Sequence, residues 1–379
     1  MSRRICFVTG TRAEFGLMGR TLRAVEARDD LSLQIVATGM HLSDAHGRTV
    51  DDLRRDGWRV DRVVDWPSAA TPAAATGAAM AGLAGAYAEL SPDVVLVVGD
   101  RVEAFAAAAA AHLDNRVVAH VHGGDRAQGQ ADDALRHAIT KLAHLHFAAT
   151  AESAGRVARL GEDAWRIHAV GAPGIDGIAE LAAPSADLTR AFGVDPGGFA
   201  LLVYHPTRAD PAAEHATAGL LLDSTLASGV PRVVVVYPNN DPGHEGIIAR
   251  WEAAGADPRV VARRDLPRQA FLGLLRDAAF LVGNSSSGII EAASFGTPVL
   301  DVGPRQRGRE RSGNVTHVQD PLTNPTPLRQ AVARAWNSGS PSRWAGGNVY
   351  GGAGTADRIA DVLATAELDA RLRRKLIAY

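Results

Sequence analysis

Short apolar, β-branched runs recur along the chain with helical stretches between them. This alternation constrains the fold more than any other feature. The first series is "RICFVTG" (4–10), "LSLQIVATG" (31–39), "DVVLVVGD" (93–100), "RVVAHVHGG" (116–124), "LHFAAT" (145–150) and "WRIHAVG" (165–171). Strands this uniformly apolar, spaced by helices, read as parallel strands covered on both faces. The rhythm breaks at "GAPGID" (171–176) and over the polar stretch 183–198, which read as a hinge and linker. A second series then runs through "FALLVYHPT" (199–207), "PRVVVVYPNN" (231–240), "DPRVVAR" (257–263), "AAFLVGNSS" (278–286) and "TPVLDVG" (297–303).

The expected fold class is therefore α/β: two Rossmann-like, doubly wound parallel-sheet domains in tandem with an interdomain cleft. The expected divisions are an N-terminal domain over 1–172, a C-terminal domain over 173–355, and helices over 356–379 that cross back to the first domain. A chain of 379 residues is too long for one compact core and suits two domains.

Composition removes several function classes. The formal net charge is −2, so no global basic field draws nucleic acid or anionic lipid. The single cysteine, Cys6, lies inside the first apolar run, which leaves no disulfide framework and no thiolate metal cluster. "MSRRICFVTG" has too short an apolar stretch for a signal peptide, and the Ala-rich segment 69–86 is too small-sided and glycine-broken for a membrane span. The expectation is a cytoplasmic protein with no nucleic-acid or membrane partner. Only Lys141 and Lys375 are lysines, so Schiff-base or phosphate-loop lysine chemistry has little room, whereas arginine forks suit phosphate or carboxylate.

In open parallel sheets ligands sit beyond the carboxyl ends of the strands. Polar residues cluster there: Thr9 to Arg12, Gly99 to Arg101, His120 to Asp125, His205 to Thr207, Asn239 to Asp241 and Ser285 to Ser287. In "GNSSSGIIEAASFG" (283–296) the serines fall at the first turn of a helix predicted to run through Phe295. Unpaired N–H groups and the positive helix end there make a seat for phosphate, and simple N-capping by Ser285 or Ser286 is the plainer alternative. Three adjacent serines are not a nucleophile elbow. Glu291, about one and a half turns on, is placed to bond vicinal ribose hydroxyls or is a solvated helix glutamate. "GPRQRGRERSGN" (303–314) brings Arg305, Arg307, Arg309 and Arg311 beside those serines as a diphosphate clamp or a solvated loop.

The first domain offers Asp100, Arg101, His122, Asp125, Asp132, Asp133, Arg136 and His137. Carboxylates crowded at one site can have their pKa values driven apart, which general acid–base work requires. Asp132 and Asp133 are also the charges a helix N-terminus favours. "HxHxxD" invites a metal, but along a regular strand His122 would point away from His120, and neither H-E-x-x-H nor D-x-D occurs. No metal is expected.

These residues resemble a known family. "VTGTRAEFG", "GDRVEA", "HVHGGDxxxGxxDDALRHAITKLAHLHFAAT", "VGAPGID", "GNSSSGIIEAASFGTPVLDVGPRQRGRE" and "NVTHV" are similar to the hydrolysing UDP-N-acetylglucosamine 2-epimerases, over about residues 3 to 318. The resemblance implies a GT-B fold, no cofactor, a UDP-sugar substrate and a homodimer or homotetramer, for which the Ala-rich helix 73–90 is the candidate surface. It also implies C2 inversion through elimination of UDP to 2-acetamidoglucal, then water addition giving N-acetylmannosamine.

Carried over by motif, Arg12, Ser285 and Ser286 touch the diphosphate, Glu291 holds the ribose, and Arg305 with Arg309 gathers the phosphates. Asp100, His122, Asp132 and Asp133 supply acid–base groups, Arg136 orients them, Arg101 binds substrate beside Asp100, and His205 and Asn239 line the second-domain wall, with His205 and Asp125 also among the catalytic candidates. One departure is Asp125, where relatives commonly carry glutamate: a shorter side chain withdraws that carboxylate by roughly one bond length. It keeps a second reading open, in which UDP returns to the glucal and UDP-N-acetylmannosamine forms. A GT-B glycosyltransferase and a non-catalytic UDP-sugar binder are the remaining alternatives.

Overall fold

A computed structural model describes residues 2–44, 47–66, 71–126, 132–239, 241–264 and 266–378, Asp132 without its side chain. The chain forms two compact units. Unit 1 takes in described residues up to Asp176 together with Tyr350 onward, and unit 2 is Gly177–Val349.

Unit 1 carries seven parallel strands: β1 (Arg3–Thr9), β2 (Leu31–Thr38), β3 (Arg62–Val64), β4 (Val94–Val98), β5 (Val117–Val121), β6 (Leu145–Ala148) and β7 (Ile167–Ala169). Their order is β3-β2-β1-β4-β5-β6-β7. Unit 2 carries β8 (Phe199–Val203), β9 (Arg232–Val236), β10 (Val260–Arg263), β11 (Phe280–Gly283), β12 (Val299–Val302) and β13 (Val315–Val318) in the order β10-β9-β8-β11-β12-β13. Every pairing is parallel.

The apolar runs are continuous because each strand feeds two cores. Val94, Leu96 and Val98 of β4 join one cluster, and Val95 and Val97 join the other. In β8, Phe199, Leu201 and Val203 face one side, and Ala200 and Leu202 the opposite one. Each sheet reverses its strand order once, between β1 and β4 in unit 1 and between β8 and β11 in unit 2. Such switch points open a crevice beyond the strand ends.

Helix starts follow local capping chemistry. Thr11 accepts the Glu14 N–H at the head of helix Arg12–Glu26, and Asp210 does the same for Ala212 and Ala213 ahead of Pro211–Ala227. Helix Thr355–Thr365 buries Ile359, Ala360 and Leu363 in the unit 1 core, with Asp176 accepting the Gly354 and Ala356 N–H groups at its start.

The sequence pattern errs in three places. β3 and β13 were not among the predicted strands: they are edge strands of three and four residues, mostly without full burial. The stretch 183–198 is no bare linker but holds helix Ser185–Phe192, whose Leu188 enters the unit 2 core while Arg276 grips Ala183 and Ser185. The helix predicted to run from the serines to Phe295 ends at Ile290, and a 3-10 turn follows over Ala292–Phe295. The break falls at Glu291, whose buried carboxylate pairs with Arg268, and the left-handed Gly296 (φ 69°) closes the 3-10 turn. No helix of the described residues is long and apolar enough to cross a membrane.

Candidate functional site

In unit 1 the site is organised by one guanidinium. Arg136, on helix Asp132–Leu142 and almost fully buried, bonds the Asp100 carboxylate just beyond β4. Its Nη1 donates to the His122 carbonyl at 3.0 Å, and its Nε lies 3.9 Å from Asp133. Residues 36 apart in sequence thus meet where the helix after β5 packs against the helix that follows β4.

His122 sits just past β5 rather than within it, and its backbone is left-handed (φ 66°). The regular-strand argument that turned it away from the site therefore does not apply. Its Nδ1 is 2.8 Å from one Asp125 oxygen, and the Ser153 hydroxyl donates to the other at 2.8 Å. Burial alone would raise the Asp125 carboxyl, but the charge and hydrogen bond of His122, the Arg136 charge and the Ser153 bond hold it below its ordinary value.

His120 is a structural residue. It is buried, bonds the Gly99 carbonyl at 2.8 Å through Nε2, and burial pushes it down to about 3. His137 is exposed. Asp132 begins the helix, and its side chain lies outside the described residues. Among the described residues no group of three His, Cys, Asp or Glu side chains is arranged to hold a metal ion.

The other two arginines singled out in unit 1 have carboxylate partners of their own. Arg101 forks onto Glu103 with two contacts of 3.2 Å, and the mostly exposed Arg12 lies 3.4 Å from Asp52. Two buried carboxyls near the end of β1 escaped the sequence reading. Glu14 accepts the Gly10 N–H at 2.8 Å; burial, aided by the charge of Glu103, pushes it up to about 7 against that bond. Both lay in plain view in "TRAEF" and "DRVEAF", but only burial distinguishes them from helix-surface glutamates.

Unit 2 is built differently. β11 ends at Gly283 (φ 144°), where a Cβ would come within 1.9 Å of the Val203 carbonyl oxygen. That close approach brings Asn284 onto β8: its side-chain oxygen accepts the His205 N–H at 2.8 Å and its amide donates to the His205 carbonyl at 2.9 Å. Gln306 braces Asn284 from behind at 2.8 Å. Neither amide was singled out from sequence.

The Asn239 N–H donates to His205 Nδ1 at 3.1 Å. That ring nitrogen is therefore unprotonated, and the neutral ring carries its hydrogen on Nε2. Burial and the Arg305 charge push His205 down to about 4, with Asp241 opposing. At neutral pH His205 is a hydrogen-bond donor rather than a base. Glu214, fully buried, shapes the same loop by accepting from the Thr207 and Arg208 N–H groups and the Tyr204 hydroxyl. Asn240 lies outside the described residues.

The serines are not arranged as nucleophiles. Ser285 is the N-cap of the short helix Ser286–Ile290, and its hydroxyl lies 2.8 Å from that of Ser287. Ser286 opens the helix and is half-buried. Glu291 is not a solvated helix residue: it is buried, paired with Arg268 at 2.6 Å, and raised by burial against that pairing. Arg305 is 3.6 Å from Asp241, which also accepts from Asn239 at 2.7 Å. Burial lowers the Arg305 guanidinium, Asp241 opposes this, and the Arg309 charge adds to it. Two guanidiniums that repel each other in a half-buried loop fit a doubly charged anion. Arg311 is committed to Asp301 at 2.7 Å and to the Gln306 carbonyl, and Arg307 is exposed.

Comparison with known proteins places this geometry in context. The profile of the UDP-N-acetylglucosamine 2-epimerase family matches residues 23–364. The hydrolysing UDP-N,N'-diacetylbacillosamine 2-epimerase of Legionella pneumophila is 37% identical over 388 residues, covering 100% of both chains. A UDP-N-acetylglucosamine 2-epimerase of Neisseria meningitidis is 31% identical over 95% of each. A crystal structure of UDP-GlcNAc 2-epimerase from Neisseria meningitidis, bound to UDP-GlcNAc, superposes with a TM-score of 0.77 at 18% identity, over 95% of this chain and 99% of the other. The two parallel-sheet units are of the GT-B type.

Proposed function

We propose a function from one premise: the chain belongs to the UDP-N-acetylglucosamine 2-epimerase family. It inverts C2 of UDP-N-acetylglucosamine or a close 2-acetamido relative, and it does so hydrolytically. A base removes the C2 proton, the C–H electron pair forms the C1–C2 double bond, and the C1–O bond breaks with UDP carrying away its electrons. Water then adds across 2-acetamidoglucal, hydroxyl to C1 and hydrogen to the opposite face of C2, giving N-acetylmannosamine.

The observation that carries this reading is the Arg136 cluster of Asp100, His122, Asp125 and Asp133. The C2–H bond is weakly acidic, so its removal needs acid–base groups fixed beforehand and a stabilised leaving group. Asp100, His122, Asp132 and Asp133 are assigned to the acid–base work, with Asp125 bonded to His122 beside them, and Arg136 to orienting them. Arg12, Ser285, Ser286, Arg305 and Arg309 are assigned to the diphosphate, Arg101 to substrate binding beside Asp100, Glu291 to the ribose, and His205 and Asn239 to hydrogen bonds with the nucleotide sugar. As a neutral Nε2–H donor, His205 suits a developing phosphate charge. The hydrolysing relative at 37% identity supports release of UDP over its return.

The test is a small panel in D₂O, UDP-N-acetylglucosamine and UDP-N,N'-diacetylbacillosamine included, followed by product NMR and anion exchange. Free UDP and a C2-inverted sugar bearing deuterium at C2 are expected. A second UDP-sugar without free UDP would replace hydrolysis with nucleotide-retaining epimerisation. Turnover with the C2 proton retained would remove epimerisation altogether.

A further inference from the structure

We infer that His122 takes the C2 proton in the elimination step and that Asp125 and Ser153 are positioning residues that hold its ring, an inference that rests on the reading above. The Asp125 carboxylate is itself poorly placed to act as a base. It is buried, one oxygen is bonded to His122 Nδ1 at 2.8 Å, and the other receives the Ser153 hydroxyl at 2.8 Å. Ser153 is buried in turn and accepts from Arg156 Nη2 and the Thr150 hydroxyl, each at 3.0 Å.

The backbone enforces this arrangement. At Gly124 (φ 80°) a Cβ would lie 2.2 Å from the Ser153 carbonyl oxygen, and Arg156 Nε donates to the Gly124 carbonyl at 2.5 Å. The loop is pressed against the start of helix Ala151–Arg159, so Asp125 faces Ser153 from 28 residues away. A carboxylate fixed in this way acts through its neighbour.

That neighbour is His122. A left-handed histidine costs on the order of 1 kcal/mol and persists only where its surroundings hold it. Here its N–H donates to the Phe147 carbonyl at 3.0 Å and its own carbonyl receives Arg136. With Asp125 ionised, the neutral ring carries its hydrogen on Nδ1, donating to the carboxylate, and Nε2 is left as the basic nitrogen. When Nε2 takes the C2 proton, the imidazolium that forms rests on the Asp125 anion, the arrangement by which a buried aspartate supports a histidine base. Among the described residues, the charged and titratable groups around the ring include Asp125 on its own loop, Asp100 beyond β4, His120 on β5, Arg136 on the following helix and Arg156 on the next.

The test uses the full-length enzyme, with melting temperature and UDP affinity as checks on folding. Removing a general base typically costs 10²–10⁴-fold. H122Q is expected to lower kcat by about 10³-fold with UDP affinity unchanged, and to abolish the acid limb of the kcat/KM profile. D125N is expected to lower kcat by about 10²-fold with KM little changed, and to move that limb to lower pH because the supporting anion is gone. A purely structural role for Asp125 would lower activity without moving the limb. S153A is expected to act in the direction of D125N but more weakly.

A second readout needs no turnover. ¹⁵N spectra of the ring nitrogens, assigned by difference from H122Q, should show the Nδ1–H tautomer at His122, and D125N should lose it. The wrong tautomer in the intact protein, H122Q activity within about threefold of the starting enzyme, or an unmoved limb in D125N overturns the inference. The spectra hold whatever reaction is catalysed, so failure of the His122–Asp125 pair is distinguishable from failure of the epimerase reading.

Discussion

Units 1 and 2 share one plan: parallel strands, apolar on both faces, with a single reversal of order beside the first strand of each sheet. What they hold beyond those strands differs in kind. Unit 1 gathers carboxylates and imidazoles around one buried arginine. Unit 2 gathers amides, hydroxyls and arginines around a neutral histidine. The sheet topology decides where a ligand can bind and leaves the chemistry to the loops. Burying titratable groups to tune acid–base chemistry also leaves a mark on stability, and unit 1 should carry more of it.

The largest expected effect is therefore on stability against pH. Burial pushes His41 and His146 down to about 4 and His120 and His144 down to about 3, all in unit 1, against His205 at about 4 in unit 2. Unfolded histidine titrates near 6.5, so the unfolded state binds more protons and stability is lost as pH falls below that value, by about 1–2 kcal/mol per histidine at pH 5. Glu14, pushed up to about 7, works in the opposite direction and offsets one of them. Hydrogen exchange at pH 7 and pH 5, corrected for intrinsic rates, should show unit 1 losing several kcal/mol of protection and unit 2 much less. Equal losses would dissolve the contrast.

Next in size is Asp100→Asn. Arg136 would keep a neutral partner, but the charged member of the cluster nearest it would be gone, and kcat should fall roughly 10²–10⁴-fold. Calorimetric UDP affinity should stay within about threefold, because most of the groups assigned to the nucleotide lie in unit 2 and Asp100 is not among them. A parallel loss of UDP binding would merge the two roles. The smallest effect is the converse: Arg305→Ala should weaken UDP binding by about tenfold to a hundredfold, about 1.5–3 kcal/mol, through loss of a charge-assisted hydrogen bond. Unchanged affinity would return Arg305 to its Asp241 pair alone.

Much of the fold was legible beforehand, and the exceptions share a cause. Central strands such as β4 are buried on both faces, so their apolar runs are unbroken and read easily. β3 and β13 lie at sheet edges, where Arg62, Thr316 and His317 remain partly or largely solvated and dilute the pattern. Helix Ser185–Phe192 was hidden because one anchoring leucine among polar residues resembles a linker until its packing is known. Strand-end motifs pointed to the candidate site residues, but Asn284, Gln306, Ser153 and Glu214 were not singled out. Their role depends on burial, which composition does not report.

Sequence by itself determined the two parallel units and the family. These follow from hydrophobic period and from motifs of neighbouring residues, both local properties of the chain. Only the tertiary structure decided which polar groups meet: Arg136 with Asp100, Asp125 with Ser153 and His122, and His205 with Asn239 and Asn284. Most of those pairings join residues tens of positions apart, brought within hydrogen-bond distance by helices packing on sheets. Such contacts fix tautomer, charge and orientation, and no local pattern encodes them.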